Sequence, residues 1–186
     1  MSDRVRESLR VLLGSIREEL KDHYIDEKTA TLGSHTLVIG TGSAQQVSHL
    51  IGCLHNLFPE TVIHCIARPN LIPQLEASLN NQDKAYAYKN DGFFDTKGIL
   101  ETIPNPAIQL IESAIGVLNN VWGAGYENVY KILEELKLGH CYTFNVEERF
   151  SRVTPSSAKK RIENLTLNKV LSEWYWENGF KASHDN

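Results

Sequence analysis

Between Thr36 and Val47 the chain reads Thr-Leu-Val-Ile-Gly-Thr-Gly-Ser-Ala-Gln-Gln-Val, an apolar strand pattern running into glycines and then into a helix pattern. Gly40, Thr41, Gly42 and Ser43 are suited to wrapping an anion. A glycine loop lets backbone approach a ligand closely, and the helix after it presents unpaired N–H groups and the positive end of its dipole. A structural role competes for the same residues. Ser43 followed three residues later by Gln46 is a capping-box pattern, in which each side chain satisfies a backbone N–H of the other.

A second loop, Asn119-Asn-Val-Trp-Gly-Ala-Gly-Tyr-Glu-Asn128, repeats the strand, glycine, helix order. Trp122 and Tyr126 offer stacking faces for a sugar or base, Gly125 joins them as a ligand contact, and Asn119, Asn120, Glu127 and Asn128 offer hydrogen bonds to hydroxyls. The alternative is a glycine-bearing turn with both rings packed inward. Asp91 and Asp95 flank Gly92-Phe-Phe94, and either carboxylate would serve as a general base if it reached the same cleft. Asp-Gly is equally a turn pair. His49 and Cys53 stand four apart on a helix without a third metal ligand at recognisable spacing, so no metal site is assigned.

These residues need a scaffold, and the apolar periodicity supplies one. Val5, Leu9, Leu12, Leu13, Ile16 and Leu20 mark an amphipathic N-terminal helix, and residues 21–34 read as a polar connector. Thr36–Ile39 is a strand, Val47 to Leu57 a helix, and Thr61–Ala67 a second strand of the doubly covered type. Strand, helix, strand over about thirty residues is a βαβ unit with parallel strands.

A short helix carries Ile72, Leu75 and Leu79, Lys84–Tyr88 is a third strand, and Thr96–Ile103 a further helix. Ile108 to Leu118 fits either a helical stripe or a buried strand over Ser113–Leu118, and the strand is preferred because it completes the second glycine-loop motif. A helix through Val129, Ile132, Leu133 and Leu136 leads to a last strand, His140–Phe144, and residues 145–154 read as a charged loop. Pro155 opens a C-terminal helix. The expected fold is α/β, a three-layer Rossmann-like sandwich with a mainly parallel sheet and terminal amphipathic helices. Residues 1–155 form the domain, and 156–186 an extension packing on it or on a partner.

With 186 residues, 41% of them hydrophobic, the chain is long enough for a core without staples. A net charge of -4 lacks the basic excess of a tight duplex binder, so nucleic acid is not an expected partner. No apolar run is long enough to span a membrane, the charged N-terminus lacks signal-peptide character, and a cytoplasmic location is expected. Cys53, Cys65 and Cys141 lack the spacing of a zinc or redox motif and are expected to stay reduced. Lys159-Lys-Arg161 and the aromatic run Trp174-Tyr-Trp176 offer contacts to phosphate or an anionic membrane surface, and docking on the domain or on a second subunit is the preferred reading, with self-association as a corollary.

The dinucleotide fingerprint fails at two points: Gln45 replaces its third glycine, and Arg68 stands where the ribose-binding carboxylate would end the second strand. Arg68 is instead placed to face a phosphate. The same position counts against an S-adenosylmethionine-dependent methyltransferase, which ranks third among the functional readings.

From Thr36 to Pro69, the order Leu-Val-Ile-Gly-Thr-Gly-Ser-Ala-Gln-Gln-Val, helix, Leu-Phe-Pro-Glu-Thr-Val-Ile, strand, Arg-Pro resembles the N-terminal Rossmann-like unit of heptosyltransferase-type glycosyltransferases. The resemblance covers under a quarter of the chain and implies a GT-B-like unit handling a sugar nucleotide. Two departures accompany it. Gln46 stands where that family carries an acidic catalytic residue, and the chain has no room for the family's second Rossmann domain. The leading expectation is a protein that binds a phosphorylated or nucleotide-linked metabolite, as a glycosyltransferase-like enzyme or with a partner. A non-catalytic regulatory or assembly module is the alternative, and no cofactor is assigned.

Overall fold

The computed structural model describes residues 3–20, 24–121 and 123–179. Its strands are β1 (Tyr24–Ile25), β2 (His35–Gly40), β3 (Val62–Ala67), β4 (Lys84–Ala87), β5 (Ser113–Val117), β6 (His140–Phe144) and β7 (Phe150–Val153). They form one sheet in the order β1-β7-β6-β5-β2-β3-β4. The five strands from β6 to β4 are mutually parallel, and β7 and β1 extend one edge antiparallel. Counting only the parallel strands in chain order gives 3-2-1-4-5 across the sheet, the doubly wound arrangement.

Helices cover both faces. On one side lie α2 (Ala44–Leu57) and α3 (Ile72–Leu75); on the other lie α1 (Asp3–Glu19), α4 (Thr96–Thr102), α6 (Glu127–Leu136) and α7 (Pro155–Gly179). A one-turn helix, α5 (Asn105–Ile108), leads into β5. The period-two geometry of β2 explains how one strand serves both cores. Leu37 and Ile39 pack toward α1 and α6, while Val38 packs toward Val47, Leu50, Ile51 and Leu54 of α2, all fully buried. Burial of each such side chain stabilises the fold by roughly 1.5–3 kcal/mol. The two sides of the sheet are therefore wound outward from β2, with α2 and α6 on opposite faces.

The ambiguous segment before Asn119 is a strand. Ser113–Val117 is buried throughout because β2 and β6 flank it and both faces are covered, which also accounts for its lack of polar alternation. Two expectations are corrected. The connector 21–34 contains β1 and a single 3₁₀ turn, Glu27–Thr29, capped by Asp26; residues 21–23 lie outside the described residues. The charged loop 145–154 contains β7, so His140–Phe144 is not the last strand. Asn145 is buried and its Oδ1 accepts from the amides of Glu147 and Arg149, at 3.0 and 3.2 Å, and Glu148 adopts φ +60°. This tight hairpin hides under the charges of its tip, and Phe150 and Val153 bury behind it.

The C-terminal helix packs on the domain, against α6 and α1. Ala158 and Leu165 enter the core, whereas Val170 and Trp174 are exposed. Among the described residues, no helix is long and apolar enough to cross a membrane.

Candidate functional site

In a doubly wound sheet the chain leaves β2 and β5 in opposite directions, which opens a crevice above their carboxyl ends. Both glycine loops lie there. The crevice holds a cavity of about 360 Å³, within the range of small-molecule sites. Gly40, Thr41 and Gly42 line it from the first loop, and Gly125, Tyr126 and Asn128 from the second. Arg68, Asn70 and Leu71 contribute from the end of β3, and Phe93 and Phe94 from the turn before α4.

The first loop is clamped to the neighbouring strand. Thr41 Oγ1 donates to the Val117 carbonyl, and Gln46 Nε2 donates to the Leu118 carbonyl at 2.8 Å. Ser43 Oγ accepts from the Gln46 amide at 3.2 Å, so half of the expected capping box forms; the Gln46 side chain instead ties the loop to the end of β5. Ser43 turns away from the crevice and lines a separate hollow with His49 and Glu148. Gly42 is dictated by packing. A Cβ there would stand 2.8 Å from Val117 Cγ1 and closer still to Gln46 Oε1. What this loop offers a ligand is its backbone.

The second loop supplies a freer helix start. Asn120 fixes it by accepting from the Gly123 amide at 2.5 Å and donating to the Ala124 carbonyl at 2.9 Å. Gly123 and Gly125 adopt φ +73° and +81°, a conformation open to glycine at no steric cost. The α6 helix follows Tyr126 as its N-cap residue without a side-chain cap; the Val129 amide donates to the Tyr126 carbonyl at 2.9 Å, so the anion-binding capacity of this turn rests on the N–H groups of Glu127 and Asn128. Burial raises the Tyr126 hydroxyl above its ordinary pKa, opposed by a backbone contact from Asn119. Asn128 Nδ2 donates to the Phe94 carbonyl at 3.0 Å, which fixes that side chain at the rim and leaves its oxygen as an acceptor.

Arg68 is the charged group of the crevice. Its guanidinium lies 5.4 Å from the Tyr88 ring centroid and 5.0 Å from that of Phe94, and Nη1 donates to the Asn90 carbonyl at 3.1 Å. Those two rings stack with centroids 4.3 Å apart. The side chain is thus held by aromatic faces and a neutral acceptor. Among the described residues it has no carboxylate partner, in contrast to Lys97, Lys131 and Lys160, each of which pairs with a glutamate. Arg68 presents a positioned, unneutralised cation at the rim of an apolar cavity.

Seven of the residues expected to bind ligand therefore meet: Gly40, Thr41, Gly42, Arg68, Gly125, Tyr126 and Asn128. Asn119 is exposed and outside the lining, and Trp122 lies outside the described residues. Asp91 is exposed in its turn, and Asp95 is the N-cap of α4, accepting from the Gly98 amide at 2.6 Å; neither lines the cavity. Asn70, Leu71, Phe93 and Phe94 complete the crevice without having been singled out as ligand contacts. Phe93 is 80% exposed, an aromatic side chain standing in solvent beside the cation. The Phe-Phe pair between two turn aspartates was the available signal.

At the opposite end of the sheet, His35 Nδ1 and His64 Nε2 stand 2.9 Å apart, and His64 Nδ1 lies 3.2 Å from the Tyr86 hydroxyl. Burial, then the His35 charge, pushes the His64 pKa below its ordinary value. Burial raises the thiols of Cys65 to about 12 and Cys141 to about 11, which removes both as nucleophiles near neutral pH. His49 Nε2 is 3.4 Å from Cys53 Sγ and 3.1 Å from Glu148, yet among the described residues no group of three ligating side chains is placed to hold a metal ion. No family model, curated protein or solved structure matches this chain.

Proposed function

We propose that the protein binds a phosphorylated or nucleotide-linked metabolite in the crevice between the β2 and β5 loops. The observation that carries this reading is Arg68, a guanidinium with no carboxylate partner among the described residues, held in place on Tyr88 and Phe94. A planar guanidinium matches phosphate oxygens in a bidentate fashion, and its orientation is fixed before the ligand arrives. The uncapped start of α6 adds the positive end of a helix dipole, offset in part by the Glu127 carboxylate in its first turn. Phe93 and Tyr126 give aromatic faces for a base or sugar, and Asn70 and Asn128 give hydrogen bonds for hydroxyls. A sugar nucleotide combines all of these groups.

Its enzymatic form is a glycosyltransferase-like group transfer with Asp91 or Asp95 as base. Binding without chemistry is the simpler form, because among the described residues the side chains lining the crevice include no carboxylate, histidine or cysteine and Asp95 is occupied as a helix cap. Self-association belongs to the same proposal. Val11, Val170 and Trp176 are exposed along the α1–α7 face, and light scattering of the full chain should give twice the monomer mass.

A thermal-shift screen of phosphates, nucleotides, sugar nucleotides and S-adenosylmethionine tests the ligand class. A ligand at a hundredfold excess over its Kd stabilises by about 2.7 kcal/mol, or roughly 5–10 °C for a chain of this size. The expected result is a shift with phosphate-bearing compounds that Arg68→Gln removes. A screen without stabilising ligands, or an undiminished shift in that variant, overturns the reading.

A further inference from the structure

Phe93 stands apart from its aromatic neighbours. Tyr88 and Phe94 are buried, whereas Phe93 is the most exposed of the large hydrophobic side chains among the described residues. Its backbone is nevertheless held. The Tyr88 hydroxyl donates to the Phe93 carbonyl at 3.3 Å and accepts from the Asp95 amide at 3.1 Å, which pins the turn on both sides of Phe94. A fixed backbone thus sets the Phe93 ring in solvent on the wall of the crevice that also carries Arg68. An aromatic face left in water is unfavourable, and a flat ligand group laid over it removes that cost.

The rest of this wall decides what kind of flat group fits. β3 and β4 are neighbours in the sheet, and the chain beyond their ends contributes Arg68, Asn70, Leu71, Phe93 and Phe94 to the crevice. Arg68 is the cation among them, and Asn70 supplies the neutral polar side chain. Only the backbone carbonyl of Asn70 is engaged, by Gln74 Nε2 at 3.2 Å, and its side-chain amide makes no hydrogen bond among the described residues. Asp91 and Asp95, on the same turn as Phe93, lie outside the lining. A sugar laid on Phe93 would bring several hydroxyls to a wall with one amide to receive them, and hydroxyls covered without partners are costly. A nucleobase brings two apolar faces and a short polar edge. One amide, with its donor and acceptor side by side, answers such an edge.

We propose that the ligand of the crevice carries a nucleobase, which stacks on Phe93 and turns its edge toward Asn70 while the phosphate lies on Arg68, so that the site selects nucleotides over sugar phosphates. The proposal rests on the crevice being a phosphate-ligand site and adds the group that discriminates among such ligands. Every base has a π-face, so stacking on Phe93 sets the class of ligand and not the identity of the base.

Calorimetric titration of the full chain with adenosine monophosphate, uridine monophosphate and ribose phosphate tests this, because ribose phosphate is either nucleotide without its base. At least one nucleotide should bind about tenfold more tightly than ribose phosphate. Phe93→Ala should remove that advantage and leave ribose phosphate binding unchanged, whereas Phe93→Trp, which keeps a stacking face, should retain it. The exposure of Phe93 makes neither variant a threat to folding, and an unchanged urea midpoint verifies this. Equal binding of nucleotides and ribose phosphate, or a nucleotide advantage that survives Phe93→Ala, overturns the assignment of a base to Phe93 and leaves the phosphate site standing. If none of the three compounds binds, the phosphate site itself falls and this proposal falls with it.

Discussion

At the scale of single residues, Arg68 and Gly42 illustrate two different reasons for a residue to stand beside the crevice. Gly42 is required by its neighbours: Gly42→Ala forces a Cβ against Val117 and Gln46 and should destabilise the fold by about 1–3 kcal/mol, read from the urea midpoint, with or without ligand. Arg68 has no such packing necessity. Its cation–π contacts contribute on the order of 0.5–2 kcal/mol, so Arg68→Gln should fold with a modest loss in the same titration and with ligand binding gone. Asp95 can be separated in the same way. Asp95→Asn keeps the α4 cap and should leave stability unchanged, while Asp95→Ala should cost about 1 kcal/mol in urea unfolding. With Asp95 as a base, both variants would abolish turnover, the asparagine variant without a loss of stability. Arg68 was legible in the sequence because it breaks a known pattern at a strand end, whereas Asn70, Leu71 and Phe93 were not, because only the third dimension brings the β3 and β4 ends beside the glycine loops.

At the scale of elements, the strongly periodic segments were readable and the weakly periodic ones were not. β2 and β3 declare themselves through continuous apolar runs that two-sided burial demands, and α2 through the helical spacing of Val47, Leu50, Ile51 and Leu54 on its one buried face. β1 is two residues long and β7 carries serine and arginine at its centre, so neither offers a period to detect; each is defined by pairing along the sheet edge. Asp83 is another element-scale device invisible to pattern. Its fully buried carboxylate accepts from the amides of Ile63 and Asn80, at 2.8 and 2.9 Å, and pairs with His55 Nε2 at 2.7 Å, fixing β4 against β3. Asp83→Ala leaves these donors unpaired and should cost roughly 3–5 kcal/mol in urea unfolding. His64, a buried residue of β3, links the sheet to pH. Its folded pKa lies below the ordinary 6.5, so the unfolded chain binds the extra proton and stability falls as pH drops through and below that value. Urea midpoints should decline from pH 7.5 to about pH 5.5, and His64→Gln should flatten part of that decline.

At the scale of the whole molecule, the strand order 3-2-1-4-5 turns two separate glycine loops into one crevice, and this is the step from fold to function. The order of elements along the chain implied a parallel sheet but not which strands would be neighbours. Only adjacency of β2 and β5 places Tyr126 and Asn128 opposite Gly40 and Gly42, with Arg68 beside them. The central claim is that this crevice, and in particular its Arg68 rim, binds a phosphate-bearing metabolite. Backbone-amide NMR of the isotopically labelled full chain, titrated with the strongest stabilising nucleotide or sugar nucleotide from the thermal screen, tests it most directly. The account predicts saturable shifts at Gly40, Gly42, Gly125 and Asn128 that vanish in Arg68→Gln. Shifts that leave these amides unmoved, or that persist in Arg68→Gln, would contradict it.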